Sequence, residues 1–205
     1  MTKVLILGAN GQVARVATAL FLKHPDVHLT LFLRRSQRLQ GLPSDRVQVI
    51  EGDVLDRKAL EAAMVGQDVV YANLAGPLEQ MARSIVQAMN AAGLRRLIFI
   101  SSMGIYNEVP GQKYKSVLDP YRDSAAVVEA SELDYTIIRP EWLNNKNEID
   151  YETTQKGETF KNPKEYVSRM SVADLIVKLA ITRNFEVRKS LGVNKPLKAK
   201  IDPGF

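Results

Sequence analysis

The chain of 205 residues contains no cysteine, which excludes disulfide bonds, thiolate zinc sites and a cysteine nucleophile. Its two histidines, His24 and His28, are separated by Pro25 and have no third ligand nearby, so no metal site is expected. Long apolar runs are also lacking. The N-terminal apolar stretch, at residues 3–7, is too short for a signal peptide or a membrane span. These absences predict a cytoplasmic protein without a metal or a membrane partner.

The formal net charge is +5, but the basic residues are spread along the chain and form no arm of the kind that binds nucleic acid. No DNA- or RNA-binding motif is present, so the expected partner is a small anionic molecule. Hydrophobic residues make up 45% and charged residues 25%, which are ordinary values for a globular protein. We expect residues 1–205 to form one domain, as a monomer or a homodimer.

Strand-like apolar runs alternate with helical patterns, which predicts an α/β fold with a doubly wound parallel sheet and helices on both faces. The run at residues 3–7 is continuously apolar after its first residue, as expected of a strand buried on both faces. About six or seven strands are predicted, at residues 3–7, 27–33, 47–51, 68–72, 97–100, 135–138 and 187–193. Helices are predicted at residues 12–23, 56–65, 77–92, 119–132 and 171–182.

Residues with strong positional preferences mark several helix ends. Asp56 is expected to cap the second helix, and Gly93 to follow the end of the third. Asp119, followed by a proline, is expected to cap the fourth helix. Ser171 is expected to open a capping box before the last helix. Residues 140–167 are polar and predicted to be irregular, and a loop of this length in a compact domain predicts a substrate lid.

The segment KVLILGANGQVA, residues 3–14, joins the first strand to the first helix through a glycine turn. Backbone N–H groups in the first turn of a helix have no partners within the helix, and the helix dipole adds partial positive charge there. Such a turn is suited to bind a pyrophosphate, although a glycine-rich turn that binds nothing is the alternative. The residues predicted to hold the pyrophosphate are Gly8, Asn10, Gly11, Gln12 and Val13.

The glycine spacing Gly8-x-x-Gly11-x-x-Ala14 departs from the common dinucleotide fingerprint. It resembles the pattern of extended and atypical short-chain dehydrogenase/reductases, in particular the NmrA-like and flavin-reductase-like NAD(P)-binding proteins. The resemblance covers about residues 1–183 and implies a Rossmann-type fold that binds NAD(P). The ligand crevice is then expected where the strand order reverses, between the first and fourth strands.

Arg34 and Arg35 follow the second strand, where an NAD-specific protein commonly carries an acidic residue. Two guanidinium groups match the oxygens of a 2′-phosphate, so NADP is the predicted cofactor, with NAD as the alternative. The other interpretation is that these arginines, with Arg38, form a solvated basic rim.

The resemblance also implies roles for residues after the next two strands. Asp53 and Val54 match an Asp-Val pair that contacts adenine, although a carboxylate that only caps the next turn is the alternative. After the fourth strand, small residues are expected where the ring and ribose of the cofactor approach the backbone, namely Leu74, Ala75 and Gly76.

The fifth strand ends in Ser101 and Ser102, which look like the serine pair of the same superfamily. Ser101 is expected to contact the cofactor and Ser102 to polarise a substrate carbonyl, although strand-end serines often bond only to the backbone. Tyr121 is best placed to match the family's catalytic tyrosine. No tyrosine in the chain has a lysine four positions later, which puts the usual alcohol and ketone chemistry in doubt.

Arg139-Pro140 matches the T-x-x-R-P segment of the family, in which the backbone after the proline lines the nicotinamide side. Glu141 stands where family members often have glycine. Trp142 is the only tryptophan, and it forms either a stacking wall for a planar acceptor or an anchor in the core. Pro140 is therefore predicted to contact the cofactor, and Glu141, Trp142 and Tyr106 to form the substrate pocket.

Two functions are compatible with these residues. The first is an NADP(H)-dependent oxidoreductase that passes a hydride to a small planar acceptor, such as a flavin or a quinone, which takes its proton from solvent. The second is a non-catalytic NAD(P)-binding regulator of the NmrA-like kind. Sugar-nucleotide epimerase activity is less favoured, because it requires the missing tyrosine and lysine pair.

Overall fold

The computed structural model describes residues 1–35, 37 and 45–197. Strand β1 (Thr2–Leu7) lies inside the sheet, between β2 (Val27–Leu33) and β4 (Val69–Ala72). Its side chains alternate between two cores: Val4 and Ile6 face one, and Leu5 and Leu7 face the other. All four are fully buried, which explains why the sequence from Val4 to Leu7 is continuously apolar.

The other elements follow β1 in an almost regular alternation. The larger ones are α1 (Gln12–Phe21), β2 (Val27–Leu33), β3 (Val47–Glu51), α2 (Arg57–Met64), β4 (Val69–Ala72), α3 (Leu78–Ala91), β5 (Arg96–Ile100), α4 (Asp119–Glu129), β6 (Asp134–Pro140), α5 (Arg169–Ile181) and β10 (Lys189–Asn194). Three short strands lie between β6 and α5, namely β7 (Leu143–Asn144), β8 (Glu152–Gln155) and β9 (Val167–Ser168).

The main sheet has eight strands in the order β3-β2-β1-β4-β5-β6-β10-β8. Every neighbouring pair is parallel except β10 and β8, which are antiparallel. The strand order reverses between β1 and β4, so a crevice lies above the carboxyl ends of these strands. The predicted doubly wound parallel sheet is therefore confirmed, and the predicted strands all occur.

The helices cover both faces of the sheet. Helices α1 and α5 pack against each other on one face, while α2, α3 and α4 form a layer on the other. Among the helices of residues 1–35, 37 and 45–197, none is both long enough and apolar enough to cross a bilayer.

The prediction that residues 140–167 are irregular was wrong. Strand β8 within this segment adds to the edge of the sheet, and β7 pairs with β9 in a separate two-stranded ribbon. The sequence of β8 is polar and only four residues long, so no apolar alternation marked it. The segment is fixed partly by backbone pairing, while its role as a lid stays a prediction.

Two predicted helix caps need correction, and two are confirmed. Helix α5 begins at Arg169, and Ser168, not Ser171, caps it by accepting a hydrogen bond from the Ser171 N–H. Asp119 lies inside α4, because a 3-10 turn over Ser116–Leu118 leads into that helix. The Asp56 side chain caps α2 as predicted, and the left-handed Gly93 follows the end of α3.

Candidate functional site

A cavity of about 540 Å³ lies above the carboxyl ends of β1, β2, β3 and β4. We call it the first cavity. Every strand end around it contributes to the wall, as expected for a crevice at the point where the strand order reverses. Its lining consists of Gly8, Asn10, Gly11, Phe32, Leu33, Arg34, Arg35, Gly52, Asp53, Val54, Asn73, Leu74, Ala75 and Met81.

The turn after β1 approaches the turn after β4 very closely. Gly8 has a left-handed φ of +77°, and a Cβ atom there would lie 2.2 Å from the backbone oxygen of Asn73. At Gly11 a Cβ atom would lie 1.9 Å from the Asn73 Nδ2 atom. A side chain at Gly8 would therefore push the two turns apart, whereas one at Gly11 would displace the Asn73 side chain.

Helix α1 points its N-terminus at the first cavity. Gly11 is the N-cap and has no side chain, so within the described part of the chain no side chain caps the first turn. Gln12 and Val13 are the first two helical residues. Backbone N–H groups at such an end, together with the helix dipole, suit a phosphate group. The cavity therefore fits the pyrophosphate of a dinucleotide at the turn predicted to hold it.

Arg34 and Arg35 lie directly after β2 and line the same cavity, and both are exposed. Their guanidinium groups are thus placed on the β2 side, beyond the turn that would hold the pyrophosphate. Arg38, which was grouped with them in the alternative of a basic rim, lies outside the described residues.

The residues after β3 and β4 complete the wall. Asp53 lines the cavity, but its Oδ1 atom accepts a hydrogen bond of 2.9 Å from the Leu55 N–H, so the carboxylate also holds its own turn. Val54 is buried beside it. Leu74 and Ala75 form part of the wall. Gly76 follows them with a left-handed φ of +123°, just before helix α3.

A second cavity, of about 220 Å³, lies above β5 and β6. Because β5 and β6 continue the sheet beyond β4, the two cavities lie side by side along one edge. The lining of the second cavity consists of Ser102, Met103, Gly104, Asn107, Val109, Gln112, Lys113, Tyr114, Lys115, Val117, Leu118, Pro140, Glu141 and Trp142. The predicted residues Ser102, Pro140, Glu141 and Trp142 are thereby brought together.

The two serines after β5 have different surroundings. Ser101 is buried, and its hydroxyl donates to the backbone carbonyl of Tyr121 at 3.2 Å. Ser102 faces the second cavity, with its hydroxyl 3.2 Å from the carbonyl oxygen of Met103. Tyr121 itself lies half-buried on α4 and packs against the core of that face. Of the three residues, the structure places only Ser102 in the cavity lining.

Tyr106 was predicted in the substrate pocket, but the structure places its side chain in a partly buried polar network. Its hydroxyl donates to Glu129 at 2.7 Å and lies 3.1 Å from the Ser190 hydroxyl. Arg139 and Lys156 lie over its ring. Burial raises the pKa of Tyr106 well above its ordinary value, so the phenol stays protonated. This group is held as a structural hydrogen-bond donor.

Among the residues that the structure describes, Arg139 has the largest fully buried side chain. It forms an ion pair with Glu108 and donates to the carbonyl groups of Thr154 and Ser190 at 3.3 and 3.2 Å. Glu108 in turn accepts from the N–H groups of Gly104 and Tyr106. The ion pair therefore joins β6, β8 and β10 to the loop that forms one wall of the second cavity.

Glu141 is only 3% exposed. Its Oε2 atom accepts a hydrogen bond of 3.2 Å from the Lys195 N–H, while Oε1 has no hydrogen-bond partner within the described part of the chain. Burial raises the pKa of Glu141 to about 8, and repulsion by Glu165 adds to this effect. The hydrogen bond from Lys195 opposes the shift only in part. At neutral pH the carboxyl group is therefore mostly uncharged.

This carboxyl group should make the fold less stable as the pH rises from about 4.5 to about 8. Over that interval the unfolded chain loses the proton of Glu141 while the folded chain keeps it, so unfolding is favoured progressively. We expect Glu141→Gln to abolish a decrease in the free energy of unfolding on the order of 5 kcal/mol, measured by urea unfolding across this pH range. The exposed Glu132 gives the matched control Glu132→Gln, and equal pH slopes in all three proteins would contradict the expectation.

Trp142 is 58% exposed, so the alternative that it anchors the core is wrong. It forms part of the wall of the second cavity instead. The sequence interpretation missed several cavity residues, among them Phe32, Gly52 and Met81 in the first cavity and Lys113 and Lys115 in the second. The sequence does not show that Phe32 and Gly52 are in contact. In the structure they pack so closely that a Cβ atom on Gly52 would lie 2.5 Å from the Phe32 ring.

Comparison with known proteins agrees with this architecture. Residues 8–182 match the family model described as NAD(P)H-binding, and the chain belongs to that family. The matched range includes the glycine turn and the linings of both cavities. The resemblance to NAD(P)-binding proteins of the short-chain dehydrogenase/reductase type is confirmed.

Solved structures and a curated relative resemble the chain over nearly its whole length. A Rossmann-fold NAD(P)-binding family protein from Shigella flexneri is 40% identical, covers 100% of this chain and 99% of its own, and has a TM-score of 0.86. A short-chain dehydrogenase/reductase from Veillonella parvula, in complex with NADP, is 33% identical, with 95% of each chain covered and a TM-score of 0.83. The uncharacterized sugar epimerase YhfK of Bacillus subtilis is 27% identical over 91% of each chain.

Proposed function

We propose that the protein is an NADP(H)-dependent oxidoreductase that reduces a small planar acceptor. The observation that carries the proposal is the arrangement of two cavities above neighbouring strands at the same edge of the sheet. The first provides a glycine turn, a free helix end and two arginines. The second provides Ser102, Pro140 and the exposed ring of Trp142.

The order of the strands decides which end of a dinucleotide lies where. A pyrophosphate bound at the turn after β1 would place the adenosine half on the side of β2 and β3, and the nicotinamide half on the side of β5. Arg34 and Arg35 then lie near the adenosine ribose, and the relative from Veillonella parvula supports NADP by its own complex. The ring that reacts would face the second cavity.

A planar acceptor is favoured because the chain lacks the paired tyrosine and lysine that would supply a proton to a carbonyl substrate. The nicotinamide, when bound, supplies a hydride, and a flavin or quinone takes this hydride and one proton from water, giving NADP+ and the two-electron-reduced ring. Ser102 lines the second cavity and orients the acceptor, while Trp142 offers a flat apolar face. The same missing pair argues against epimerase chemistry.

We expect calorimetry to show tighter binding of NADP+ than of NAD+. Replacing both arginines, in an Arg34→Ala/Arg35→Ala variant, should weaken NADP+ binding about a hundredfold and NAD+ binding only severalfold, since only NADP+ carries the 2′-phosphate. The matched control is Arg183→Ala, another exposed arginine, which lies beyond the end of α5. An equal loss for both dinucleotides would contradict the assignment of the 2′-phosphate, and no heat from either would contradict the proposed function.

The missing lysine also supports a second candidate, a regulator that binds the dinucleotide without catalysis. Steady-state assays with NADPH and a panel of flavins and quinones separate the two. Turnover of any acceptor supports the oxidoreductase, provided that the turnover is lost in a variant such as Gly8→Ala, which obstructs the turn at the first cavity. Tight NADP+ binding without turnover of any acceptor supports the regulator.

A further inference from the structure

Two lysines contribute to the lining of the second cavity, and neither was marked by any motif. Lys113 and Lys115 lie on the segment between β5 and α4, on either side of Tyr114. Both are exposed, and within the described residues neither forms an ion pair. Their ammonium groups are therefore available to a ligand that enters this cavity.

The carboxyl groups nearby do not cancel these charges. Glu141 is the only acidic residue in the lining of this cavity, and its burial keeps it mostly protonated at neutral pH. Just beyond the lining, Asp119 accepts a hydrogen bond of 2.8 Å from the Tyr114 hydroxyl and shares Arg122 with Asp123. The lining itself consequently carries a net positive charge, from Lys113 and Lys115.

The remaining wall of the cavity is largely apolar. Val117 is 70% exposed, and Trp142 is 58% exposed, although both are large hydrophobic residues. Met103, Val109 and Leu118 line the deeper part. A flat ring placed here would cover apolar surface that otherwise faces water. An apolar wall beside two unpaired lysines suits a ligand that has an aromatic body and an anionic group.

We propose that the second cavity selects acceptors that carry an anionic group, with the ring against Trp142 and Val117 and a phosphate, carboxylate or sulfonate bound by Lys113 and Lys115. This inference rests on the proposed function and deepens it by naming the class of acceptor. The lysines act in binding, and the hydride and proton follow the route already given.

Tryptophan fluorescence provides a direct measure of binding, because Trp142 is the only tryptophan and it lines the cavity. Two pairs of ligands separate charge from ring shape: flavin mononucleotide with riboflavin, and anthraquinone-2-sulfonate with 2-(hydroxymethyl)anthraquinone. For at least one pair we expect the anionic member to quench Trp142 at about tenfold lower concentration. The preference should shrink as salt is raised, since salt screens exposed charges.

Variants test the lysines themselves. The double variant Lys113→Ala/Lys115→Ala should lose the preference for the anionic member and keep the affinity for the neutral one. Lys113→Arg/Lys115→Arg should retain the preference, because it keeps both charges. The control Lys23→Ala removes an exposed lysine next to the C-terminal end of α1, away from this edge of the sheet, and should leave all affinities unchanged.

Equal affinity for charged and neutral rings would overturn the proposal, as would a preference that survives the double alanine variant or a failure of every ring to quench. These outcomes can be told apart from a failure of the proposed function, which is measured by NADP+ calorimetry on the same protein. If NADP+ binds and neutral acceptors turn over as well as anionic ones, only the acceptor class is wrong. If anionic rings bind while no dinucleotide does, the oxidoreductase is wrong and the anion site stands.

Discussion

Replacing Gly8 by alanine should weaken dinucleotide binding at least about a hundredfold, the largest effect we expect on ligand binding. Two costs combine at this position. The left-handed φ of +77° is unfavourable for any residue with a Cβ atom, and that atom would lie 2.2 Å from the backbone oxygen of Asn73. Because the obstacle is backbone rather than a flexible side chain, the turns after β1 and β4 must move apart. The amide groups at the start of α1 would then lose their alignment with the pyrophosphate.

Gly66 provides a matched control for this substitution. It has nearly the same φ, +71°, but a Cβ atom there would meet nothing within 4 Å. Gly66→Ala should therefore cost only about 1 kcal/mol of stability and leave NADP+ affinity unchanged. Calorimetry measures the affinity, and circular dichroism shows that each variant is folded. Unchanged binding in a folded Gly8→Ala protein would contradict the assignment of this turn to the pyrophosphate.

The largest effect on stability is expected at the buried ion pair of Arg139 and Glu108. Glu108→Gln should lower the free energy of unfolding by about 3–5 kcal/mol, because it leaves the Arg139 guanidinium charged and uncompensated in the interior. Arg139 has no exposed surface, and the Glu108 side chain is 5% exposed. Urea unfolding followed by circular dichroism measures the loss.

The exposed pair Arg57 and Glu61 on α2 is the natural comparison. Glu61→Gln also removes a carboxylate from an ion pair, but at the solvent-accessible surface, and should lower the free energy of unfolding by about 0.5 kcal/mol or less. Replacing both buried partners, as Arg139→Met/Glu108→Leu, should restore part of the stability, because no unpaired charge is left inside. A Glu108→Gln variant as stable as Glu61→Gln would show that Arg139 finds other compensation.

Much of the fold could be predicted because the strands at the centre of the sheet are marked by composition alone. Buried parallel strands such as β1 and β2 are mostly apolar, with four apolar residues in a row in β1 and only His28 and Thr30 interrupting β2, and Gly8 and Arg34 follow their ends. β8 gives no such signal, since its four residues are polar and its pairing with β10 is decided by tertiary contacts. The cap of α5 was misplaced by three residues because Ser168 and Ser171 both fit an N-cap, and only the structure shows which one holds it.

The candidate site could be predicted where residues follow strands directly. Strand ends of a parallel sheet meet at one edge, so Gly8, Arg34 and Asp53 were expected to lie together, and all three line the first cavity. The loop from Gly104 to Leu118 could not be assigned in this way, because its path depends on the buried contact between Glu108 and Arg139. Lys113 and Lys115 were missed for that reason.

The two cavities draw on separate stretches of the chain, since residues 8–81 line the first and residues 102–142 line the second. Under the proposed function, substitutions that change the acceptor can therefore accumulate in residues 102–142 while residues 8–81 continue to bind the dinucleotide. If the proposed function is right, a chimera that takes only residues 102–118, 141 and 142 from a relative would change the acceptor and leave the lining of the first cavity unchanged. Because the two linings do not overlap in sequence, evolution can alter the second cavity without altering the first.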